Sequence, residues 1–184
     1  MCKTLFDRVC ALTALSVLLP VLLPVWLLIC LTSPGGAIYS HARIGKNCQP
    51  FQIYKFRSMV IGSDKQGFQT ASGDARITPV GRFIRKTSLD ELPQLWNVLI
   101  GDMSLVGPRP DTPMQKSNYT EENWALRHTV RPGITGLAQV NGRSNISTED
   151  RLAYDLEYAR TANLWLDLTI LVKTLKVAMG KNTN

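Results

Sequence analysis

Two adjacent carboxylates, Asp90 and Glu91, are the residues of this chain whose types and spacing are best suited to chemistry. They begin a predicted helix inside the stretch 85–113, which also contains Arg85, Lys86 and Arg109 and several glycines and prolines. A structural interpretation competes with a catalytic one, because Ser88-x-x-Glu91 matches a helix capping box and Asp90 is itself a suitable N-cap. Acidic side chains also favour the positive end of a helix dipole. The pair is therefore either a helix cap or the centre of a site, and the residues around it are the evidence that distinguishes these two interpretations.

Basic residues surround this pair in motifs rich in glycine and proline. They are Lys55, Arg57, Arg82, Arg85, Lys86, Arg109, Arg131 and Arg143. Stiff turns position side chains and expose backbone N–H groups, and arginine binds phosphate oxygens through two parallel hydrogen bonds. A single run of charge is usually a solvated surface, but several such runs around two carboxylates favour phosphate chemistry.

The composition restricts the class of partner. The chain has 184 residues, with 21 basic and 14 acidic side chains and a net charge of +7. This surplus favours anionic partners, which include nucleic acid, anionic lipid headgroups and phosphorylated substrates. The basic residues lack interleaved aromatic side chains on which bases stack, so we expect no nucleic-acid partner. The four cysteines form no CxxC pair and the two histidines are isolated, so a reducing, cytosol-facing domain without zinc or disulfides fits best.

An uncharged apolar segment at 9–31 is the second strong feature. As a helix its roughly 23 residues would extend about 35 Å, enough to cross a hydrocarbon core of about 30 Å. Pro20 and Pro24 each remove a backbone donor, so a bend is predicted near the centre. Basic residues flank both ends and give no orientation, which favours a re-entrant helix that enters and leaves on one side. A spanning helix and a signal peptide are the alternatives, although a signal peptide needs a shorter apolar run.

The rest of the sequence predicts an α+β fold that is mainly helical. A β-hairpin is expected at 38–59, around Gly45-Lys46-Asn47, and a strand-like segment at 137–140. The predicted helices cover 80–85, 89–100, 121–129, 148–162 and 164–179.

The last helix has an apolar stripe formed by Trp165, Leu168, Val172, Leu175 and Met179. Such a stripe suits an amphipathic helix on a membrane surface, and the alternative is a stripe that faces the protein core. We therefore divide the chain into a membrane helix at 1–34 and a catalytic domain at 35–184 that ends in an amphipathic surface helix.

Five motifs make the sequence similar to a known family. They are KFRSM at 55–59, DARIT at 74–78, GRFIRKTSLDELPQLWN at 81–97, GDMSLVGPRP at 101–110 and RPGITG at 131–136. In this order they resemble the bacterial sugar transferase family, the monotopic phosphoglycosyl transferases that begin assembly of bacterial surface polysaccharides and glycoconjugates. The similarity runs from about Phe6 to the final helix.

The resemblance implies a cytoplasmic α+β domain on a re-entrant helix–break–helix at the bacterial inner membrane. It also implies a UDP-sugar as donor, polyprenol phosphate (undecaprenyl phosphate in most bacteria) as acceptor, and Mg²⁺ as metal. The catalytic Asp-Glu dyad of the family falls on Asp90 and Glu91. Larger members carry an extra N-terminal transmembrane domain, so a chain that starts at the re-entrant segment resembles the small form. One departure is Leu19-Pro20, where the family has Ser-Pro.

A chemical argument assigns roles to the two carboxylates. The acceptor is a phosphate monoester with a second pKa of about 6, so a general base has little to remove. Asp90 is therefore expected to be a nucleophile that attacks the sugar-proximal phosphorus, releases UMP and forms an aspartyl-phosphosugar that the lipid phosphate then attacks. Glu91 is expected to hold Mg²⁺ against the diphosphate. The expected phosphate contacts are Lys55, Arg57, Arg85 and Arg109, with Arg131 and Arg143 reaching the nucleotide.

Three other functions fit parts of the pattern. They are a membrane-anchored binding protein that lost the chemistry, a basic module for nucleic acid, and a phosphatase in which water replaces the lipid acceptor. The intact Asp90-Glu91 pair argues against the first, and the missing stacking platforms argue against the second. No motif identifies the sugar.

Overall fold

The computed structural model describes residues 2–63, 73–142 and 146–179. Its helices are α1 (Cys2–Thr32), α2 (Pro79–Lys86), α3 (Gln94–Ile100), α4 (Glu121–Arg127), α5 (Leu137–Gly142), α6 (Thr148–Thr161) and α7 (Leu164–Met179). Its strands are β1 (Ile38–Ile44), β2 (Pro50–Phe56), β3 (Ser104–Val106) and β4 (Gly133–Thr135). Short 3₁₀ turns cover Lys46–Cys48, Leu89–Glu91 and Pro113–Asn118. The predicted mainly helical α+β class is confirmed.

The N-terminal apolar segment is one helix of 31 residues, long and apolar enough to cross a membrane by length and composition. The chain stays α-helical through Pro20 and Pro24, so no non-helical break separates two helices. Each proline removes only one donor from the helix ladder, and a helix held by many other bonds and by packing keeps its conformation. The predicted bend at these prolines stays a prediction.

Helix α1 is fastened to the rest of the chain near both ends. Near its start, Lys3 Nζ lies 2.5 Å from Asp167 Oδ2 on α7, and the buried Asp7 accepts a hydrogen bond of 2.8 Å from Ser104 Oγ. Near its end, Ile29 packs in a buried cluster that includes Ile84 of α2. Its outward side is apolar, and the most exposed members are Leu5, Val17 and Leu31 at 66%, 71% and 75%. Burying one face on the protein leaves this second apolar face without a protein partner among the described residues.

Strands β1 and β2 form the predicted antiparallel hairpin, paired from Ile38 opposite Phe56 to Ile44 opposite Pro50. The connecting turn places Asn47 in the left-handed region at a φ of 55°, a conformation that asparagine tolerates better than most residues. The predicted turn at Gly45-Lys46-Asn47 is confirmed.

The second sheet consists of β3 and β4, which pair in parallel with Ser104 opposite Gly133 and Val106 opposite Thr135. The prediction of a strand-like segment at 137–140 is wrong, because the chain turns into helix α5 directly after β4. Val140 N donates to the carbonyl of Gly136 at 3.2 Å, which starts the helix. A short apolar run does not distinguish a strand from a buried helix by periodicity.

The predicted helix at 89–100 is divided into the 3₁₀ turn and α3. Pro93 stands between the two pieces and supplies no backbone donor. The predicted capping box is also wrong, because Ser88 adopts a left-handed conformation with a φ of 58° and its side chain makes no capping hydrogen bond. The pair Asp90-Glu91 is thus left to interact with other parts of the molecule.

The C-terminal helices match the predictions closely. Helix α6 begins after Ser147, whose side chain accepts a hydrogen bond from Asp150 N at 3.0 Å. On α7, Trp165 is 81% exposed while Ile170 is fully buried. Val172 and Leu175 of the same stripe are also exposed, at 53% and 63%, so the alternative in which these three side chains face the protein core is wrong.

Candidate active site

The Asp90-Glu91 turn is anchored to the hairpin through helix α3, which follows it. Asn97 on α3 is fully buried; its Nδ2 donates to Gln52 O at 2.7 Å and its Oδ1 accepts from Tyr54 N at 3.0 Å. One amide side chain therefore replaces two backbone bonds along β2. This places the turn beside Lys55, which lies next to Tyr54 on the same strand.

Asp90 lines a cavity of about 170 Å³ between the hairpin, the segment after β2 and helix α2. The basic residues of its lining are Arg43, Lys55, Arg57 and Arg85. Burial raises the pKa of Asp90 above its ordinary value, and the neighbouring charge of Glu91 raises it further, while Lys55 and Arg85 oppose the shift. Asp90 is thus a partly desolvated carboxylate that faces a cationic space.

Glu91 is held by two cations. Lys55 Nζ lies 2.7 Å and Arg109 Nη2 lies 2.8 Å from the same oxygen, Oε1. Burial alone would raise the pKa of Glu91, but Arg109 and Lys55 outweigh it through charge and hydrogen bonds and hold this pKa at about 2. Burial lowers the pKa of Lys55 and Arg109 adds to that shift, while Glu91 opposes it. The two neighbouring carboxylates therefore have opposite pKa shifts.

The other predicted phosphate contacts lie in different environments. Arg85 lines the cavity and its Nε donates to Ser58 Oγ at 2.8 Å. Arg57 also lines the cavity, but its guanidinium donates to the carbonyls of Gly36 at 2.8 Å, Gly35 at 2.9 Å and Ile38 at 3.3 Å. It therefore secures the turn that follows α1 in addition to bordering the cavity.

Of the two arginines predicted to reach the nucleotide, Arg131 does not line the cavity. Arg131 Nη1 donates to Thr4 Oγ1 of α1 at 3.0 Å. Arg143 lies outside the described residues. Their nucleotide contacts stay predictions.

One wall of the cavity was not predicted from the sequence. It consists of Tyr39, His41 and Arg43, which alternate along β1 and therefore point to one face of the hairpin. The rings of Tyr39 and His41 stack with centroids 5.3 Å apart. Burial, together with Arg43 and Lys55, lowers the pKa of His41 to about 4, so its imidazole is neutral at pH 7. Polar side chains at every second position of β1, the strand that pairs with Lys55, are the sequence pattern that could have predicted this wall.

A second, apolar groove of about 340 Å³ lies between α1, the hairpin and α3. It is lined by Leu15, Leu22, Leu23, Trp26, Ile38, Tyr54, Phe56, Pro93 and Trp96. Phe56 contributes to the lining of both this groove and the Asp90 cavity, and Pro93 is two residues from Glu91. The cavity and the groove therefore share Phe56, although Tyr39 and Lys55 of the cavity and Ile38 and Tyr54 of the groove point to opposite faces of the hairpin.

The carboxylate pair provides the donor chemistry that Mg²⁺ requires. This ion prefers oxygen ligands, keeps several waters and is commonly bound by one or two carboxylates together with substrate phosphates. Both cations donate to Oε1 of Glu91, so an ion would approach through Oε2. No group of three or more His, Cys, Asp or Glu side chains occurs within the described ranges, so substrate oxygens and water would have to complete the coordination.

The chain belongs to the bacterial sugar transferase family, whose family model matches residues 1–181. It is 42% identical over 199 residues to an undecaprenyl-phosphate galactose phosphotransferase of Salmonella typhimurium, covering 98% of this chain and 41% of that protein. It is 45% identical over 177 residues to a UDP-glucose:undecaprenyl-phosphate glucose-1-phosphate transferase of Escherichia coli, covering 92% and 38%. A UDP-N-acetylgalactosamine-undecaprenyl-phosphate N-acetylgalactosaminephosphotransferase of Aeromonas hydrophila is 41% identical over 179 residues, covering 94% and 42%. The chain thus spans about two fifths of the length of these relatives.

Proposed function

We propose that this protein transfers a sugar 1-phosphate from a UDP-sugar to polyprenol phosphate, with undecaprenyl phosphate as the natural acceptor, and releases UMP. The observation that carries the proposal is the position of Asp90 in a cavity lined by cations, beside a Glu91 that is already paired with Lys55 and Arg109. The names of the relatives support the same reaction class, and their different sugars leave the sugar of this protein open.

The reaction proceeds in two displacements at one phosphorus atom. A carboxylate oxygen of Asp90 attacks the sugar-proximal phosphorus, the bond from that phosphorus to the bridging oxygen breaks, and UMP leaves with the electron pair. The lipid phosphate then attacks the same phosphorus, the bond to Asp90 breaks, and the carboxylate is regenerated. Neither step requires a general base, since the nucleophile in each step is an ionised oxygen, that of the Asp90 carboxylate first and that of the lipid phosphate second.

The cations around Asp90 make this attack feasible. A carboxylate that approaches a diphosphate meets like charge, and fixed positive groups in a partly buried site reduce that repulsion without reorganisation during the reaction. Lys55 and Arg85 line the same cavity as Asp90, and Arg109 contacts Glu91, the next residue in the chain, and lines a smaller pocket together with Lys55. These three residues are assigned to the donor phosphates.

Mg²⁺ is proposed as the metal, held by Glu91 together with donor oxygens. When bound, it would supply additional positive charge against the diphosphate. Glu91 suits this role because its low pKa keeps it ionised at any pH at which the enzyme works.

The acceptor is an amphiphile, and the cavity and the groove match its two parts. The phosphate head is anionic and suits the cationic cavity, whereas the polyprenyl chain is apolar and suits the groove between α1 and α3. Phe56 lines both sites and Pro93 of the groove is two residues from Glu91, so we place the phosphate of a lipid in the groove towards the Asp90-Glu91 turn.

The membrane arrangement follows from α1 and α7. Both ends of α1 contact the same folded unit, which supports a re-entrant position on one side of the bilayer over a helix that projects across it. Trp165 and the exposed stripe of α7 would lie at the same surface. Residues 1–34 then form the membrane segment and 35–184 the catalytic domain, placed on the cytoplasmic face of the bacterial inner membrane, where the lipid-linked sugar begins surface polysaccharide or glycoconjugate assembly.

The proposal is tested by UMP release in detergent or nanodiscs with undecaprenyl phosphate and a panel of UDP-sugars. Asp90→Asn should abolish release with at least one accepted donor, while Asp150→Asn, at an exposed position on α6, should behave as wild type. Strong turnover by Asp90→Asn would reject the role of Asp90. UMP release that continues unchanged without acceptor would indicate a hydrolase.

A further inference from the structure

Segment 108–111, which presents Arg109 to the active site, is held through four consecutive carbonyl oxygens. The bonds are Gly133 N to Pro108 O at 2.9 Å, Arg127 Nη2 to Arg109 O at 2.7 Å, Arg43 Nη1 to Pro110 O at 3.1 Å, and Ile44 N to Asp111 O at 2.9 Å. Two of the four residues are prolines and supply no backbone donor, so the carbonyls are the main means of fixing this segment. Three elements, β4, α4 and β1, converge on it.

Arg127 is the more deeply buried of the two side-chain donors, with a side chain only 3% exposed. Its Nε and Nη2 contact Asp155 Oδ2 on α6 at 3.1 Å and 2.8 Å, and its Nη1 contacts Asp111 Oδ2. One guanidinium therefore joins α6, α4 and the backbone of segment 108–111.

The hydrogen bonds and ion pairs of this cluster fix the position of the Arg127 guanidinium. A planar guanidinium with two carboxylates and a carbonyl has little rotational freedom left. Both carboxylates are buried, and a buried arginine without such partners would carry an uncompensated charge. Asp155 thus fixes the orientation of the guanidinium, which in turn fixes the carbonyl of Arg109.

The other end of Arg109 reaches Glu91. Its Nη2 lies 2.8 Å from Glu91 Oε1, while its side chain is 53% exposed and has little packing to hold it. The location of the Arg109 charge therefore depends on its backbone more than on neighbouring side chains.

We propose that Arg127, oriented by Asp155, is a positioning residue that sets the Arg109 backbone and thereby keeps Arg109 on Glu91. The inference rests on the proposed function for its effect on turnover. Arg127 does not line the Asp90 cavity, and a displacement of about 1 Å in a group that positions charge lowers rates by up to roughly 100-fold.

The test is a double-mutant cycle on Asp155 and Arg109. Asp155→Asn keeps the shape of the side chain and removes its charge, and we expect kcat/KM for UMP release to fall roughly 10-fold or more. In an Arg109→Ala background, the same substitution should change kcat/KM by less than about 2-fold, because the group being positioned is gone. Tyr119→Phe is the matched control: it removes a hydrogen bond of 3.1 Å to Asp111 Oδ1 from the same cluster and keeps the ring over which the Arg127 guanidinium lies, 5.6 Å from the centroid.

A second readout does not depend on activity. In crystal structures, the distance of 2.8 Å between Arg109 Nη2 and Glu91 Oε1 should lengthen in Asp155→Asn and stay unchanged in Tyr119→Phe. A wild-type protein that releases no UMP would reject the proposed function, while this distance would still decide the positioning role.

Equal losses of activity for Asp155→Asn in both backgrounds, or an Arg109–Glu91 contact that stays at 2.8 Å in Asp155→Asn, would overturn the inference and leave a structural cluster only. If Asp155→Asn does not fold, Arg127→Lys is tested instead under the same criteria. A single ammonium cannot reproduce the bonds of the guanidinium to its three partners, Asp155, Asp111 and the carbonyl of Arg109.

Discussion

Lys55 and Glu91 are 36 positions apart in the chain, yet Lys55 Nζ lies 2.7 Å from Glu91 Oε1, the oxygen that also accepts from Arg109. This pairing gives the two adjacent carboxylates different roles: Glu91 is neutralised by cations, whereas Asp90 faces the cavity.

Replacing Glu91 by Gln should reduce transfer by at least roughly 100-fold, because Lys55 and Arg109 lose their shared anion and the metal would lose its protein ligand. The measurement is kcat for UMP release at saturating Mg²⁺. Glu122→Gln, at an exposed site on α4, is the matched control. Activity of Glu91→Gln within a few-fold of wild type would contradict the assigned role.

The acid limb of the pH–rate profile should report the ionisation of Asp90. Burial raises the pKa of this carboxyl above its ordinary 3.8, and only the ionised form is a nucleophile, so kcat should be retained at higher pH and lost as pH falls through that raised pKa. Arg85 lowers the pKa of Asp90, and Arg85→Gln should therefore move the limb to higher pH. Arg151→Gln, on the exposed side of α6, should leave it in place; a limb that moves to lower pH in Arg85→Gln would contradict the electrostatic argument.

The apolar groove should affect binding of the lipid substrate and not binding of the nucleotide sugar. Trp96 lines the groove and is 51% exposed, and Trp96→Glu should raise KM for undecaprenyl phosphate with little change in KM for the UDP-sugar. The penalty should shrink with a short-chain polyprenol phosphate, which occupies less of the groove. Phe83→Glu, another exposed aromatic residue at 58%, controls for general loss of membrane affinity; equal effects from both substitutions would argue against the groove.

The start of α1 should contribute measurably to stability. Lys3→Met removes the ammonium from Asp167, which is only 1% exposed, and leaving a buried carboxylate without it should cost roughly 2 kcal/mol. For a chain of this size that corresponds to a Tm decrease of roughly 4–8 °C in one detergent.

The exposed pair of Lys116 and Glu121, 3.1 Å apart, provides the comparison. Lys116→Met should cost well under about 1 kcal/mol, because solvent screens such pairs. Equal Tm values for the two variants would mean that α1 is not fastened through Lys3.

Local sequence signals predicted the elements whose causes are local. The hairpin, the start of α6 and the apolar stripe of α7 depend on turn residues, a capping side chain and helical periodicity, all of which lie within a few residues of sequence. The left-handed Ser88 and the start of α5 could not be predicted this way, because packing of distant segments selects those conformations over the locally favoured ones.

The candidate site was predictable in its residue types but not in its pairings. The motifs identified Asp90, Glu91 and the surrounding cations. The attachment of Arg57 to the turn after α1, and of Arg131 to Thr4, depends on contacts between segments far apart in sequence. Tyr39, His41 and Arg43 can be placed on a common face only when the pairing register of the hairpin is known.

The most direct test of the central claim is intact-mass and peptide mass spectrometry of the protein incubated with an accepted UDP-sugar and no lipid. The account predicts one phosphosugar adduct on Asp90, formed with one equivalent of UMP, absent from Asp90→Asn and discharged when undecaprenyl phosphate is added. UMP that appears only when the lipid is present, with no adduct at any time, would contradict it and indicate direct transfer between the two substrates.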